Sequence, residues 1–295
     1  MRGLLLAAAM LGTVSAAQAA DMPDLPILRG SVTDGLSKTT HNWDGFYVGG
    51  NFGYTTDSTD FTRSVAGLTN YIFRDSVLQG PTSTWSLLNT NTAQGTNFGG
   101  FVGRNWQWYD AVVGLEGTYT YFNNIKASSS GYNSLDIVNP PGDVHPTGVT
   151  DHYLTTLTGS AAAQVKDMIT LRGRVGWDGG DFMPYMFAGA AVGRMDVSRT
   201  VTSDVWLRQD ATVSDGNGNA ITIPGTPQHI DAQSQTQGQH KGNAFVAGWT
   251  AGIGLEYCIW NGLFARVEYE YVRFSPVMNT QVTLNNARLG LGYKF

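Results

Sequence analysis

From Trp43 to Phe295 the chain alternates apolar and polar residues with a period of two, in segment after segment. Ala287, Leu289, Leu291, Tyr293 and Phe295 alternate with Asn286, Arg288, Gly290, Gly292 and Lys294. Leu263, Ala265, Val267, Tyr269 and Tyr271 alternate with Phe264, Arg266, Glu268 and Glu270. Phe245, Ala247, Trp249, Ala251, Ile253, Leu255 and Tyr257 do so with Gly248, Thr250, Gly252, Gly254 and Glu256. Upstream, Ile169, Leu171, Val175 and Trp177 stand against Thr170, Arg172, Arg174 and Gly176, and Val113, Leu115, Tyr119 and Tyr121 against Gly114, Glu116, Thr118 and Thr120. Successive side chains of a strand point to opposite faces, so each segment predicts a strand with one apolar and one polar face. Residues 46–54, 98–108 and 182–197 bring the count to eight; the last puts Tyr185 and Phe187 on one side and Arg194 and Asp196 on the other. Each segment is near the ~9–11 residues a tilted strand needs to cross a bilayer.

The connections alternate in length. Short ones fall at 109–110, 178–181 and 259–262; longer ones at 55–95, 123–164, 198–243 and 275–284. Short turns at one end and long loops at the other describe a membrane barrel with periplasmic turns and extracellular loops. Within the third long loop, residues 211–213 and 221–223 flank Asp215-Gly216-Asn217-Gly218-Asn219. That hairpin signal either extends the barrel above the membrane or adds two strands, making ten. With the N-terminus periplasmic, Trp177, Tyr185, Tyr257, Tyr293 and Phe295 form one aromatic girdle, and Tyr119, Tyr121, Trp249, Tyr269 and Tyr271 the other. The expected fold is all-β: an antiparallel up-and-down transmembrane β-barrel of eight strands, with ten as the alternative.

Residues 1–19 read as a signal peptide: Arg2, an uncharged apolar run over 3–14, then Ala17-Gln18-Ala19. That run is shorter than the ~20 residues of a membrane-spanning helix. No later stretch reaches that length, so membrane insertion must be as a closed barrel. Residues 20–42, with Pro23 and Pro26, read as a periplasmic tail, and 43–295 as the barrel domain. Charged residues are 14% of the chain, against ~25% in soluble domains. The 18 basic and 23 acidic residues form no basic block, which argues against nucleic acid as a partner. Cys258 is the single cysteine and reads as a small hydrophobe.

The stretch Trp43-Asp44-Gly45-Phe46-Tyr47-Val48-Gly49-Gly50 resembles the opening strand of the small alphaproteobacterial outer-membrane proteins, a porin-family group with an OmpA-like barrel. Leu171-Arg172-Gly173-Arg174-Val175-Gly176-Trp177, residues 248–257 and the ending Arg288 to Phe295 resemble its later strands. The resemblance implies a Gram-negative outer-membrane location, with lipid and lipopolysaccharide as surroundings. It also implies that Tyr293 and Phe295 are an assembly signal read by the barrel assembly machinery. It is weak for activity, since the group includes structural, adhesive and porin-like members.

The polar faces carry Glu116, Lys166, Arg172, Arg174, Arg194, Asp196, Glu256, Arg266, Glu268, Glu270, Arg288 and Lys294. An eight-stranded barrel is just wide enough for side chains to fill it. Glu116, Arg172, Arg174, Arg194, Glu256, Arg266, Glu268, Glu270 and Arg288 are therefore expected to form a lumen charge network. It would either pack the interior or line a narrow gated channel, and in both cases the charges must pair. The five histidines, His41, His145, His152, His229 and His240, lie outside the strands. Asp151 and His152 are adjacent, but no serine is tied to them by spacing, so no catalytic residue is assigned. His145 and His152 are weighed as metal ligands and set aside as loop residues; no metal or cofactor is expected. Structural and surface-interaction barrel, passive porin for small hydrophilic solutes, barrel enzyme and soluble ligand-binding barrel are the competing readings. The first is preferred, a non-enzymatic role whose loop ligand the sequence does not name.

Overall fold

The computed structural model describes residues 41–295; the expected signal peptide and all but the last two residues of the expected tail lie outside the described residues. Eight long antiparallel strands close into a ring. They are β1 (Gly45–Asp60), β2 (Thr90–Trp108), β3 (Ala111–Val138), β4 (Val149–Trp177), β5 (Phe182–Ser214), β8 (Thr236–Trp260), β9 (Leu263–Phe274) and β10 (Gln281–Lys294). The seam is β1 against β10, paired from Tyr47↔Lys294 to Asp60↔Gln281. The short β6 (Ala220–Ile223) and β7 (Gln228–His229) pair with β5. The hairpin signal at 211–223 thus lengthens the barrel wall rather than adding strands to the ring.

Hydrogen-bonded partners, followed once round the ring from Arg273 through Trp249, Ala190, Leu171, Gly117, Val102, Val48 and Tyr293, return to β9 at Leu263, ten residues away. Strand number and stagger together fix the tilt and radius. The connections differ sharply by end: the three at the turn end are short and turn with positive φ at Tyr109, Gly180 and Gly262, while at the other end β3, β4, β5 and β8 run far beyond an apolar outer band. Much of the sequence expected as long loops over 123–164 and 198–243 is therefore strand.

The outer face is apolar, with Leu115, Leu171, Ile253, Val267, Leu289 and Leu291 each more than two-fifths exposed. Aromatic residues bound the band. Trp177, Tyr257, Tyr293 and Phe295 are exposed at the turn end, and Tyr119, Tyr121, Trp249 and Tyr269 at the loop end. Tyr54 Oη donates to Gln94 (2.8 Å) and Tyr269 Oη to Asn285 (2.8 Å), as expected of rings whose apolar body and polar tip straddle an interface.

One expected loop, 55–95, has a different structure. Between Asp60 and Thr90 two short helices, α1 (Ala66–Ile72) and α2 (Gln79–Thr82), fold inward. Phe61, Val65, Leu68, Ile72, Phe73, Leu78 and Leu88 are buried against Phe122, Ile125, Leu157, Val201, Val272 and Phe274 of the wall. Arg199 ties this cap to the β9–β10 connection, donating to the carbonyls of Ser64 and Met278. The segment is a cork in the loop end of the barrel.

Candidate functional site: the filled lumen

The inward face of β9 gives the order of the interior: Phe264, then Arg266, Glu268 and Glu270, then Val272 and Phe274, all within 3% of full burial. An aromatic floor, a charged middle and an apolar upper layer succeed one another from the turn end.

The middle layer holds four glutamates and four arginines. The structure brings together Glu116, Arg172, Arg174, Glu256, Arg266, Glu268, Glu270 and Arg288, each no more than 2% exposed. Glu116 accepts from Arg172 Nε (2.9 Å), Arg266 Nη1 (3.1 Å) and Tyr47 Oη (2.8 Å). Glu268 meets Arg172 (2.6 Å), Arg288 (3.0 Å) and Arg266 (3.4 Å). Glu270 accepts from Thr250 (2.9 Å) and Asn286 (2.9 Å) beside Arg288 (3.1 Å), and Glu256 pairs with Arg174 at 2.8 Å. Each carboxylate faces at least one guanidinium, which is the condition for holding charge away from bulk water.

Arg194 is not part of this layer. Its side chain is 39% exposed on the outer face, paired with Asp167, while Lys166 pairs with Asp196 beside it at 2.8 Å. The cause is the parity of β5, whose inward residues are odd-numbered from Met183, Tyr185 and Phe187 to Met195, Val197 and Val205, so that Arg194 and Asp196 fall on the outer face. β4 itself does change parity, at the irregularity between Val165 and Asp167: its inward residues pass from odd numbers at Ala161, Ala163 and Val165 to even numbers at Met168, Thr170 and Arg172. A bulge of one residue moves every later side chain to the other face.

Tyr185 is corrected with it. It was expected in the turn-end girdle, yet Tyr185 and Phe187 are 5% and 4% exposed and point inward. Aromatic rings are what the guanidinium planes stack on: Arg174 lies 3.9 Å from the Tyr185 ring centroid, Arg172 4.0 Å from Phe187 and Arg266 3.7 Å from Phe101. A cation over a ring face is attracted to its quadrupole, more strongly where water is excluded. The signal for these inward rings was in the glycines. A Cβ on Gly254 would lie 2.4 Å from Tyr185, and one on Gly292 2.4 Å from Phe264. These glycines of the polar face are clearances for lumen aromatics.

Two further contacts were not anticipated. Cys258 Sγ lies 2.7 Å from His41 Nε2, and His41 Nδ1 lies 3.7 Å from Asp181. The cavity they line with Trp43 holds about 10 Å³, room for one water and no substrate. His152, between Asp136 (2.7 Å) and Asp210 (3.5 Å), stands on β4 well above the apolar band. No group of three or more potential metal ligands occurs among the described residues.

A family model described as "Outer membrane protein beta-barrel domain" matches residues 5–295. The 25 kDa outer-membrane immunogenic protein of Brucella ovis is 30% identical over 126 residues, 43% of this chain and 42% of that protein. The Brucella canis protein of the same name is 28% identical over 134 residues, 43% of this chain and 45% of that one. The matched region thus spans less than half the length of these relatives. Among solved structures, Neisserial surface protein A aligns over 86% of this chain and all of its own, at 13% identity and a TM-score of 0.33. The N-terminal barrel of Pseudomonas aeruginosa OprF aligns over 85% of this chain and 98% of its own, at 14% identity and a TM-score of 0.30.

Proposed function

We propose, for a chain that belongs to the outer membrane protein β-barrel domain family, a structural and surface-interaction role: a closed outer-membrane barrel that carries a strand-built platform above the membrane. The observation that carries this reading is the lumen. Eight charged side chains, each at most 2% exposed, are interlocked between an aromatic floor and the apolar cap. A passive porin needs a continuous water path, and three filled layers in series oppose one. An enzyme needs a nucleophile, base and orienting group facing a space a substrate can enter; the water-sized cavity at Cys258 and His41 offers none. The exported platform of β3, β4, β5 and β6 supplies the surface, and its ligand is left open.

Planar-bilayer recording on the refolded chain tests the reading. No conductance steps are expected across the usual voltage range. Discrete, reproducible steps would establish the porin reading in its place. Tyr293 and Phe295, outward on the turn-end rim, are the residues we take the assembly machinery to read. Phe295→Ala should then lower outer-membrane levels in cells while refolding normally in detergent; equal failure in both settings would reduce the residue to packing.

A further inference from the structure

Between the two aromatic girdles the outer face carries one charged side chain, Arg104 on β2. Every other outward residue of the eight strands in that band is apolar, aromatic, glycine or proline. Arg194 and Asp167 stand level with Tyr121, at the upper edge of the band, and neutralise each other. The register fixes the place of Arg104. It lies opposite Phe46 on β1 and Leu115 on β3, with Val102 two residues deeper, and these three are each more than half exposed on the lipid face. β2 ends four residues later, at Trp108. At about 3.3 Å per residue and a tilt of about 35–45°, roughly 10 Å of depth separates the Arg104 backbone from the turn-end rim.

A cation on the lipid face is costly at the midplane and nearly free at the interface, so a long side chain turns toward the nearer rim. Arg104 does so. Its guanidinium carbon lies 4.7 Å from the Phe46 ring centroid and 5.3 Å from that of Trp106, two residues nearer the turn. The pose leaves donors unused. Arg104 forms no ion pair and donates no side-chain hydrogen bond among the described residues, and its Nε is closed off from solvent without a partner. The Trp106 indole N–H likewise donates to no protein group among the described residues. Rings that hold a guanidinium by its face leave its edge N–H groups free, and those are the groups that take a phosphate in a two-pronged grip.

We propose that Arg104, clamped on Phe46 and Trp106, binds the phosphodiester headgroup of a phospholipid in the leaflet at the turn end, the periplasmic one, with the Trp106 indole N–H as a second donor. The proposal rests on the outer-membrane placement of the chain with its short turns periplasmic, and it is independent of whether the lumen conducts. It gives the ring one preferred phospholipid position, on the β1–β2 face beside the seam where β1 meets β10.

The test is native mass spectrometry of the full chain refolded in detergent and titrated with dioleoylphosphatidylglycerol or with dioleoylglycerol, the same lipid without its headgroup phosphate. The wild type should retain the phosphorylated lipid about fivefold more tightly or better, the worth of one basic side chain at a charged lipid surface. Arg104→Leu puts at this rung a residue that the lipid face already accepts. It should refold with heat-modifiable mobility, keep or exceed the wild-type urea midpoint, and bind the two lipids alike. Arg273→Gln, which removes an exposed cation at the loop end, should leave the preference unchanged. Equal retention of the two lipids by the wild type overturns the proposal, as does a preference that survives Arg104→Leu or that Arg273→Gln lowers as much. A lower urea midpoint in Arg104→Leu would make the arginine a brace of the wall. Displacement of the lipid by glycerol phosphate at equal concentration would make the ligand a free phosphate. A dimer that Arg104→Leu dissolves, with no lipid retained, would make the rim a contact between barrels. Each of these three results strikes the lipid site. Loss of heat-modifiable gel mobility in the wild type would instead refute the barrel reading on which the proposal stands.

Discussion

Glu116 accepts hydrogen bonds from three arginines, Arg172, Arg174 and Arg266, and from Tyr47 at the centre of the lumen, so removing it leaves Arg172 and Arg266 short of a counter-charge where water is scarce. Breaking one side of a buried pair costs about 3–5 kcal/mol, much more than the net worth of the pair. Glu116→Ala should lower the urea midpoint of the refolded barrel accordingly. Arg266→Met added to it should cost less than the sum of the two single changes, because the second change removes a charge the first had stranded. A fully additive double variant would show that water fills the gap. Gly292 makes a different kind of demand. Its missing Cβ would lie 2.4 Å from the Phe264 ring. Gly292→Ala should destabilise by about 1–3 kcal/mol through overpacking, and Phe264→Leu in the same chain should return part of that loss; no coupling between the two positions would refute the clearance. At this scale most of the charged layer was legible, because strand parity alone placed Glu116, Arg172, Arg174, Glu256, Arg266, Glu268, Glu270 and Arg288 on one face. Arg194 and Tyr185 were not legible. Parity puts the two on opposite faces of β5 without saying which face looks inward, and an aromatic residue fits a lipid face and a guanidinium stack equally well by composition.

The cap is the element that strand periodicity hides. α1 is seven residues long, has no side-chain cap and carries no acidic residue in its first turn. Isolated helices this short are unstable, and without capping residues the sequence gives no start signal. What holds the segment is burial. Phe73 and Leu88 have no exposed surface, and Ser64 hydrogen-bonds Thr280 across to the β9–β10 connection at 2.7 Å. Phe61, Val65, Leu68 and Ile72 recur at the i, i+4, i+7, i+11 spacing of a helix face, but the signal is confined to twelve residues without a capping residue, inside a stretch that turn residues and strands surround. Because the ring satisfies its own backbone hydrogen bonds, the cap should loosen without the barrel. Phe73→Ala removes a fully buried ring, a change that costs about 3–5 kcal/mol in a packed core. Limited proteolysis should then cut within 61–89 much faster than in the wild type, while heat-modifiable mobility is unchanged. Joint loss of both would mean that cap and barrel fold as one unit. The strand extensions above the band were partly legible. The Asp215–Asn219 turn announced its hairpin, and that turn is closed by Asp215 accepting from the backbone of Asn217 (2.9 Å) and Asn219 (3.0 Å).

Taken as a whole, the molecule is a ring whose eight strands and ten-residue stagger leave an interior that side chains can fill. Three layers then occupy it in series: Tyr47, Phe101 and Phe264 at the turn end, the arginines and glutamates in the middle, and the cap at the loop end. Barriers in series act differently from a single gate. Ions crossing the barrel must pass every layer, so opening one leaves the flux limited by the others. Deleting residues 62–89 should therefore leave the bilayer current at baseline, since the charged layer below is held by wall side chains and does not depend on the cap. The charge-balanced pair Glu116→Ala and Arg266→Ala should likewise give no steps on its own. Combining that pair with Phe264→Ala and the cap deletion empties one side of all three layers, and that chain, once its heat-modifiable mobility shows that it has refolded, should conduct. If the cap deletion alone produced steps, the lower layers would have to be permeable to hydrated ions, and the cap would be the gate of a channel rather than one of three seals.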